Sequence, residues 1–198
     1  MTVSRSRPAP FSAVVLLLAT VGLLAGCAAQ RRPVYATPDY HSWKRTTDVV
    51  LNYPIPGHQN RFRIPRMNDL GFTVKPTTDN GKFHWDFPAG TIIVKEVYAT
   101  PKPALGEPPI QLTIMVKAPN DPHSQGGWLW ITRDLPNGKE AVFDGNFCIT
   151  CHANANEKHP YGDGNPNEEF RDYVYFVPGE RSPGPAAGRS GAAGTPGP

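Results

Sequence analysis

The chain has almost no charge to spare. Its 198 residues carry 20 basic and 17 acidic side chains, and removing an N-terminal segment with Arg5 and Arg7 leaves 18 against 17. So close a balance gives no electrostatic footing for nucleic acid or for an anionic membrane patch. Cysteine is scarce, with 3 in all. Cys148 and Cys151 stand close together, and no second pair exists to complete a four-thiolate zinc site. No thioredoxin-like strand–helix–strand pattern surrounds them, so the usual setting of a redox dithiol is missing. There is no internal repeat. Helix-breaking residues are plentiful instead, at 23 Pro and 19 Gly. That density excludes long helices and disfavours a four-helix bundle.

What is present is Cys148-Ile149-Thr150-Cys151-His152. This is the C-x-x-C-H spacing by which a c-type haem is attached. Two thiols add across the two porphyrin vinyl groups, and two intervening residues let both reach. The adjacent His152 is carried beneath the ring, where its imidazole can bind iron as the proximal ligand. The cofactor expectation is one covalent haem c.

The N-terminus points the same way. Arg5 and Arg7 precede an apolar stretch from Phe11 to Leu24, followed by small residues. The stretch is short for a membrane span and reads as an export signal over 1–26, with an uncleaved anchor helix as the competing reading. Leu24-Ala25-Gly26-Cys27 resembles the bacterial lipobox, in which the Cys is acylated. Cys27 is then a lipidation site. Membrane contact comes through that lipid, on the periplasmic side, and Ala28 after it favours the outer membrane by resemblance to known sorting rules. With Cys27 on lipid and the other two thiols on haem, no cysteine remains for a disulfide.

Residues 27–37 read as a tether, 38–178 as one folded domain, and 179–198 as a disordered tail of Gly, Pro, Ala, Ser and Arg. The domain is expected to be mainly β (α+β), an antiparallel sheet with a few short helices. Strands are expected at 90–98, 112–117, 128–131 and 173–177, and at 60–64, where Pro65 should stop the run. Asn137-Gly138 marks a turn within 135–139. A short helix is expected within Tyr40 to Val50.

These residues, taken in order, resemble the cytochrome P-460 family, which also contains the cytochromes c-prime-beta. The matching pieces are Trp43, Gly57-His58 and Arg61; Phe87-Pro88-Ala89-Gly90-Thr91-Ile92-Ile93-Val94-Lys95-Glu96; Thr113 to Lys117; Trp128-Leu129-Trp130; Cys148 to His152; and Asp172 to Phe176. Longer stretches at Pro101 to Pro109 and Ala153 to Arg171 depart from the family's pattern. The resemblance implies a mostly antiparallel β domain, usually a homodimer. It also implies a five-coordinate haem with an open distal side. Some members oxidise hydroxylamine and carry a bond from a Lys nitrogen to a porphyrin meso carbon. Others lack that bond and bind nitric oxide in an apolar pocket.

Lys95 falls at the cross-linking position. It shares a strand face with Thr91, Ile93 and Val97, while Ile92, Val94, Glu96 and Tyr98 share the other. Both faces are apolar enough for burial on both sides. A Lys there snorkels, pairs or reacts, and burial favours the neutral, nucleophilic amine. A porphyrin bond and a plain packing role both stay open. Met115 and Met67 are candidate sixth ligands, with core packing as the plainer role. His159 is expected to face solvent, and His58 to hold a strand end. Phe143 and Phe147 could wall the pocket. Asp144 and Glu140 are candidate proton acceptors. Trp128 and Trp130 are expected in the core or on a dimer surface. The expected function is a lipid-anchored mono-haem cytochrome that oxidises hydroxylamine, passing electrons to a redox partner. A nitric-oxide-binding protein and a plain electron carrier are the alternatives.

Overall fold

The computed structural model describes residues 34–52, 61–104, 106–135 and 137–179. The expected export signal, Cys27, His58 and residues 180–198 lie outside them. Eight strands and one α-helix are described: β1 Lys44–Arg45, β2 Phe62–Met67, β3 Thr77–Asp79, β4 Lys82–His84, β5 Ile92–Tyr98, β6 Gln111–Lys117, β7 Trp128–Asp134, β8 Glu140–Val142, and α1 Phe147–Ala153. Short 3-10 turns complete them. The main sheet has six strands in the order β1-β2-β5-β6-β7-β8, every pair antiparallel. The fold is the mainly β domain expected from the sequence. Among the described residues no helix is long and apolar enough to cross a membrane.

The register sorts side chains by parity. Met67, Ile93, Met115 and Trp130 form one cross-strand row, and Pro65, Lys95, Thr113 and Thr132 form the next on the same face. Val94, Leu112, Ile114, Val116, Leu129 and Ile131 occupy the opposite face with Ala36 and Tyr40. Burial of an aliphatic side chain contributes about 1.5–3 kcal/mol. An exposed pair such as Lys82–Glu168 contributes under about 1 kcal/mol. Apolar burial therefore holds the sheet together.

Four elements differ from expectation. Pro65 does not stop its strand. Its carbonyl accepts from the Thr46 N–H on the edge side, so its ring nitrogen also faces the edge and no β2–β5 bond is lost. Tyr40 to Val50 is not a helix. A 3-10 turn at Pro38–Ser42 gives way to β1. Residues 173–177 are not a strand, because Asp172 and Tyr173 take left-handed φ values of 50° and 66° and turn the chain. Their alternating apolar residues instead pack against α1, with Val174 and Val177 buried. Residues 77–84 form a hairpin around Asn80-Gly81, both at positive φ, a turn signal that the dipeptide carries. Part of the stretch read as a tether belongs to the domain. Ala36 is buried, and the Tyr35 and Ala36 N–H groups donate to Glu140.

Candidate functional site

Helix α1 is two turns long, and Cys148, Cys151 and His152 lie at positions i, i+3 and i+4, on one side of it. Nothing in Phe-Cys-Ile-Thr-Cys-His-Ala favours an isolated helix strongly, so tertiary packing sustains it. Cys148 and Ile149 pack on the core that contains Met115, Trp128 and Trp130. Gly126 makes this approach possible. A Cβ there would meet the Tyr173 ring at 2.7 Å and the Ile149 Cδ1 at 2.9 Å. The Tyr175 hydroxyl donates to the Cys151 carbonyl at 2.7 Å.

Between α1 and the sheet lies a cavity of about 260 Å³. Cys148, Cys151 and His152 line it from the helix, and Ile93, Lys95, Thr113, Met115, Trp130 and Thr132 from the sheet. Arg63, Phe143 and Phe147 complete much of the wall. Both cysteines are free thiols. His152 Nδ1 lies 2.9 Å from the Tyr173 carbonyl oxygen. A carbonyl only accepts, so Nδ1 carries the proton and Nε2 keeps its lone pair. Burial, helped by the Lys95 cation, pushes His152 down to about 3, against the pull of the Tyr173 carbonyl. The imidazole is therefore neutral, the form that ligates a metal. Its ring sits 4.7 Å from that of Trp130.

Lys95 faces this group from β5. Burial foremost, then the Arg63 guanidinium, lowers it from 10.5 to about 8, while the two thiols oppose the shift. Cys148 is pushed up, chiefly by burial. A redox dithiol shows the reverse, a lowered leading thiol. Among the described residues no cluster of three or more His, Cys, Asp or Glu is arranged to hold a bare metal ion. Two thiols and one neutral imidazole on a cavity wall fit a porphyrin held at its edge and ligated from one side.

The other candidates separate clearly. Met115 lines the cavity, whereas Met67 is fully buried against Gly71 and Thr91. Trp128 and Trp130 are core residues. Asp144 lies outside the cavity lining. Its side chain is 68% exposed and pairs with His123 at 2.7 Å. Glu140 serves the backbone of Tyr35 and Ala36. His159 is not solvent-facing. It is buried, its Nδ1 accepts from the Tyr161 N–H, and its ring meets those of Tyr161 and Tyr175. Two cavity residues, Tyr161 and Tyr175, were not foreseen, nor was Asp172. This buried carboxylate is held between Lys117, Trp128 and the Phe87 N–H. Burial pushes it up, against those three donors.

No curated protein matches the chain. The sequence profile described as Cytochrome P460 matches residues 37–176, from the start of the sheet domain through Cys148, Cys151 and His152 to the segment that clasps them. The chain belongs to the cytochrome P460 family, and its cofactor is haem.

Proposed function

We propose that this cytochrome holds a single covalent haem c and oxidises hydroxylamine toward nitrogen oxides. The observation that carries the reading is the position of Lys95 on the wall of the cavity that Cys148, Cys151 and His152 share. The bound haem supplies one-electron redox chemistry and a coordination position for a small nitrogen ligand. Cys148 and Cys151 tether it at two points. His152 ligates through Nε2 while Tyr173 fixes its Nδ1 proton. Lys95 presents an amine whose neutral form is within reach near pH 8, the nucleophile that would add to an oxidised porphyrin edge, with the meso hydrogen and one amine hydrogen leaving as protons and two electrons passing to an external oxidant. Phe143 and Phe147 wall the cavity and restrict what enters.

A second reading has its own support. Among the described residues, no carboxylate lines the cavity, and Asp144 is turned to the surface. Hydroxylamine oxidation releases protons that a nearby base would take. Nitric oxide binding needs none. The alternative is therefore a nitric-oxide-binding protein of the c-prime-beta kind.

Mass spectrometry of tryptic peptides separates the two. An unmodified Lys95 gives a haem peptide of residues 140–158 alone. A cross-linked Lys95 resists cleavage and ties 83–117 to it. The linked fragment, a red-shifted Soret band and the loss of both in Lys95→Ala support hydroxylamine oxidation. An unlinked peptide with nitric oxide uptake supports the second reading. Export, acylation at Cys27, an outer-membrane periplasmic location, homodimerisation and an external electron acceptor complete the proposal. Membrane release of Cys27→Ser would test the anchor.

A further inference from the structure

Asp172 has no part in that scheme, yet its carboxylate is buried and accepts from three donors. It is 2% exposed. Its Oδ2 accepts from the Phe87 N–H at 3.0 Å and from Lys117 Nζ at 2.5 Å, and its Oδ1 accepts from Trp128 Nε1 at 3.1 Å. The three donors come from the loop before β5, the end of β6 and the start of β7. Lys117 in turn reaches Asp86 at 3.3 Å and lies 5.4 Å from the centre of the Trp128 ring. One end of the sheet is thus built around this side chain.

The adjoining backbone is strained. Asp172 and Tyr173 both sit at left-handed φ, a cost of about 1–3 kcal/mol for a residue such as Tyr. Such a turn persists only when its surroundings over-determine it. Asn156 grips it from the other side, where its Oδ1 accepts from both the Arg171 and the Tyr173 N–H at 2.9 and 3.1 Å. The result of holding the turn is to aim the Tyr173 carbonyl at His152 Nδ1.

We propose that Asp172 is a positioning residue for the axial imidazole. By clamping the turn at 172–173 it fixes the strength of the Tyr173–His152 hydrogen bond, and through it the electron donation of Nε2 to iron. This rests on the haem-cytochrome reading. A strong acceptor on the far ring nitrogen makes an imidazole a better donor and stabilises the oxidised metal. Loosening the clamp weakens that bond.

The test compares haem-loaded proteins by redox titration and resonance Raman spectroscopy. Asp172→Asn removes the charge that holds Lys117 while keeping the side chain's size. It is expected to raise the reduction potential and lower the iron–imidazole stretching frequency. Asn156→Ala removes the acceptor that holds the Arg171 and Tyr173 N–H groups and loosens the same turn without opening the core charge site. It should shift both readouts in the same direction, even if Asp172→Asn fails to accumulate. Glu96→Gln is the control, a carboxylate 1% exposed and paired with Arg66 on the opposite sheet face. It should lower stability and leave both readouts unchanged. Haem-loaded Asp172→Asn or Asn156→Ala with wild-type potential and band would reduce Asp172 to a structural role and overturn the proposal. Wild-type protein without haem would overturn the underlying reading as well, and the two failures are told apart by the pigment itself.

Discussion

Val94 and Glu96 point to one side of β5, and Ile93 and Lys95 to the other. On the first side the neighbours are Leu112, Ile114, Val116, Leu129 and Ile131, closed over by Ala36 and Tyr40. The charged group there, Glu96, is paired with Arg66 at 3.1 Å and His41 at 3.2 Å. On the second side the same strands present Lys95, Thr113 and Thr132 beside Met115 and Trp130, around an open cavity. One side is sealed by chain that precedes the sheet, the other by α1 and the loop at 171–177. A single alternation of side chains thus separates a sealed apolar face from a face that lines a cavity with two thiols and an imidazole on its far wall. The candidate site falls on the side closed by α1 and the turn at 172–173, where geometry is set by a few anchors rather than by the ladder.

The largest effect should come from the cavity side. Replacing Cys148 and Cys151 together by Ser should abolish covalent attachment, so that acidified acetone extracts all pigment from the protein. On the sealed side, Leu129→Ala should lower unfolding free energy by about 2–5 kcal/mol. The visible spectrum and ligand binding should stay as they were. A spectral change in that variant would break the division between faces.

Lys95→Met, made in the Cys148→Ser/Cys151→Ser background where no cross-link can form, tests the cost of a cation on the cavity wall. The folded-state amine titrates near 8 against 10.5 ordinarily, a gap worth ~3 kcal/mol. Between those values the unfolded chain binds more protons, so the lysine protein gains stability as pH rises. The methionine variant should therefore lead by ~3 kcal/mol below pH 8, and that lead should vanish above pH 10.5. Denaturant titrations across pH 7 to 11 measure it. The smallest stability effect belongs to Phe147, whose side chain is 65% exposed. Phe147→Ala should change stability by under about 0.5 kcal/mol, yet speed nitric oxide association in stopped-flow mixing, because it removes part of the wall.

The strands with β-branched runs were legible because their composition and bounding prolines carry a local signal. That held for β5 and β6 and for the first half of β7. The placement of Cys148, Cys151 and His152 on one side of a helix follows from their spacing, and strand parity put Lys95 on the face of Ile93, while the cavity beside that face had no local signal. Alternation misled at 173–177. The same apolar pattern serves a strand and a loop clasped on a helix, and no local signal announces left-handed φ at Asp172 and Tyr173. His159 looked like a loop histidine because its burial depends on Tyr175, sixteen positions later in the sequence. Asp172 was seen only as part of a matching string. Its donors are spread from Phe87 to Trp128, and only the folded sheet gathers them.

The clasp at 171–177 also imposes an order of manufacture. A chain that emerges N-terminus first presents both thiols and the imidazole before the segment that will cover them has been delivered. The three donors of Asp172 all precede it in the chain, so its hydrogen bonds form only once residues 171–177 are in place.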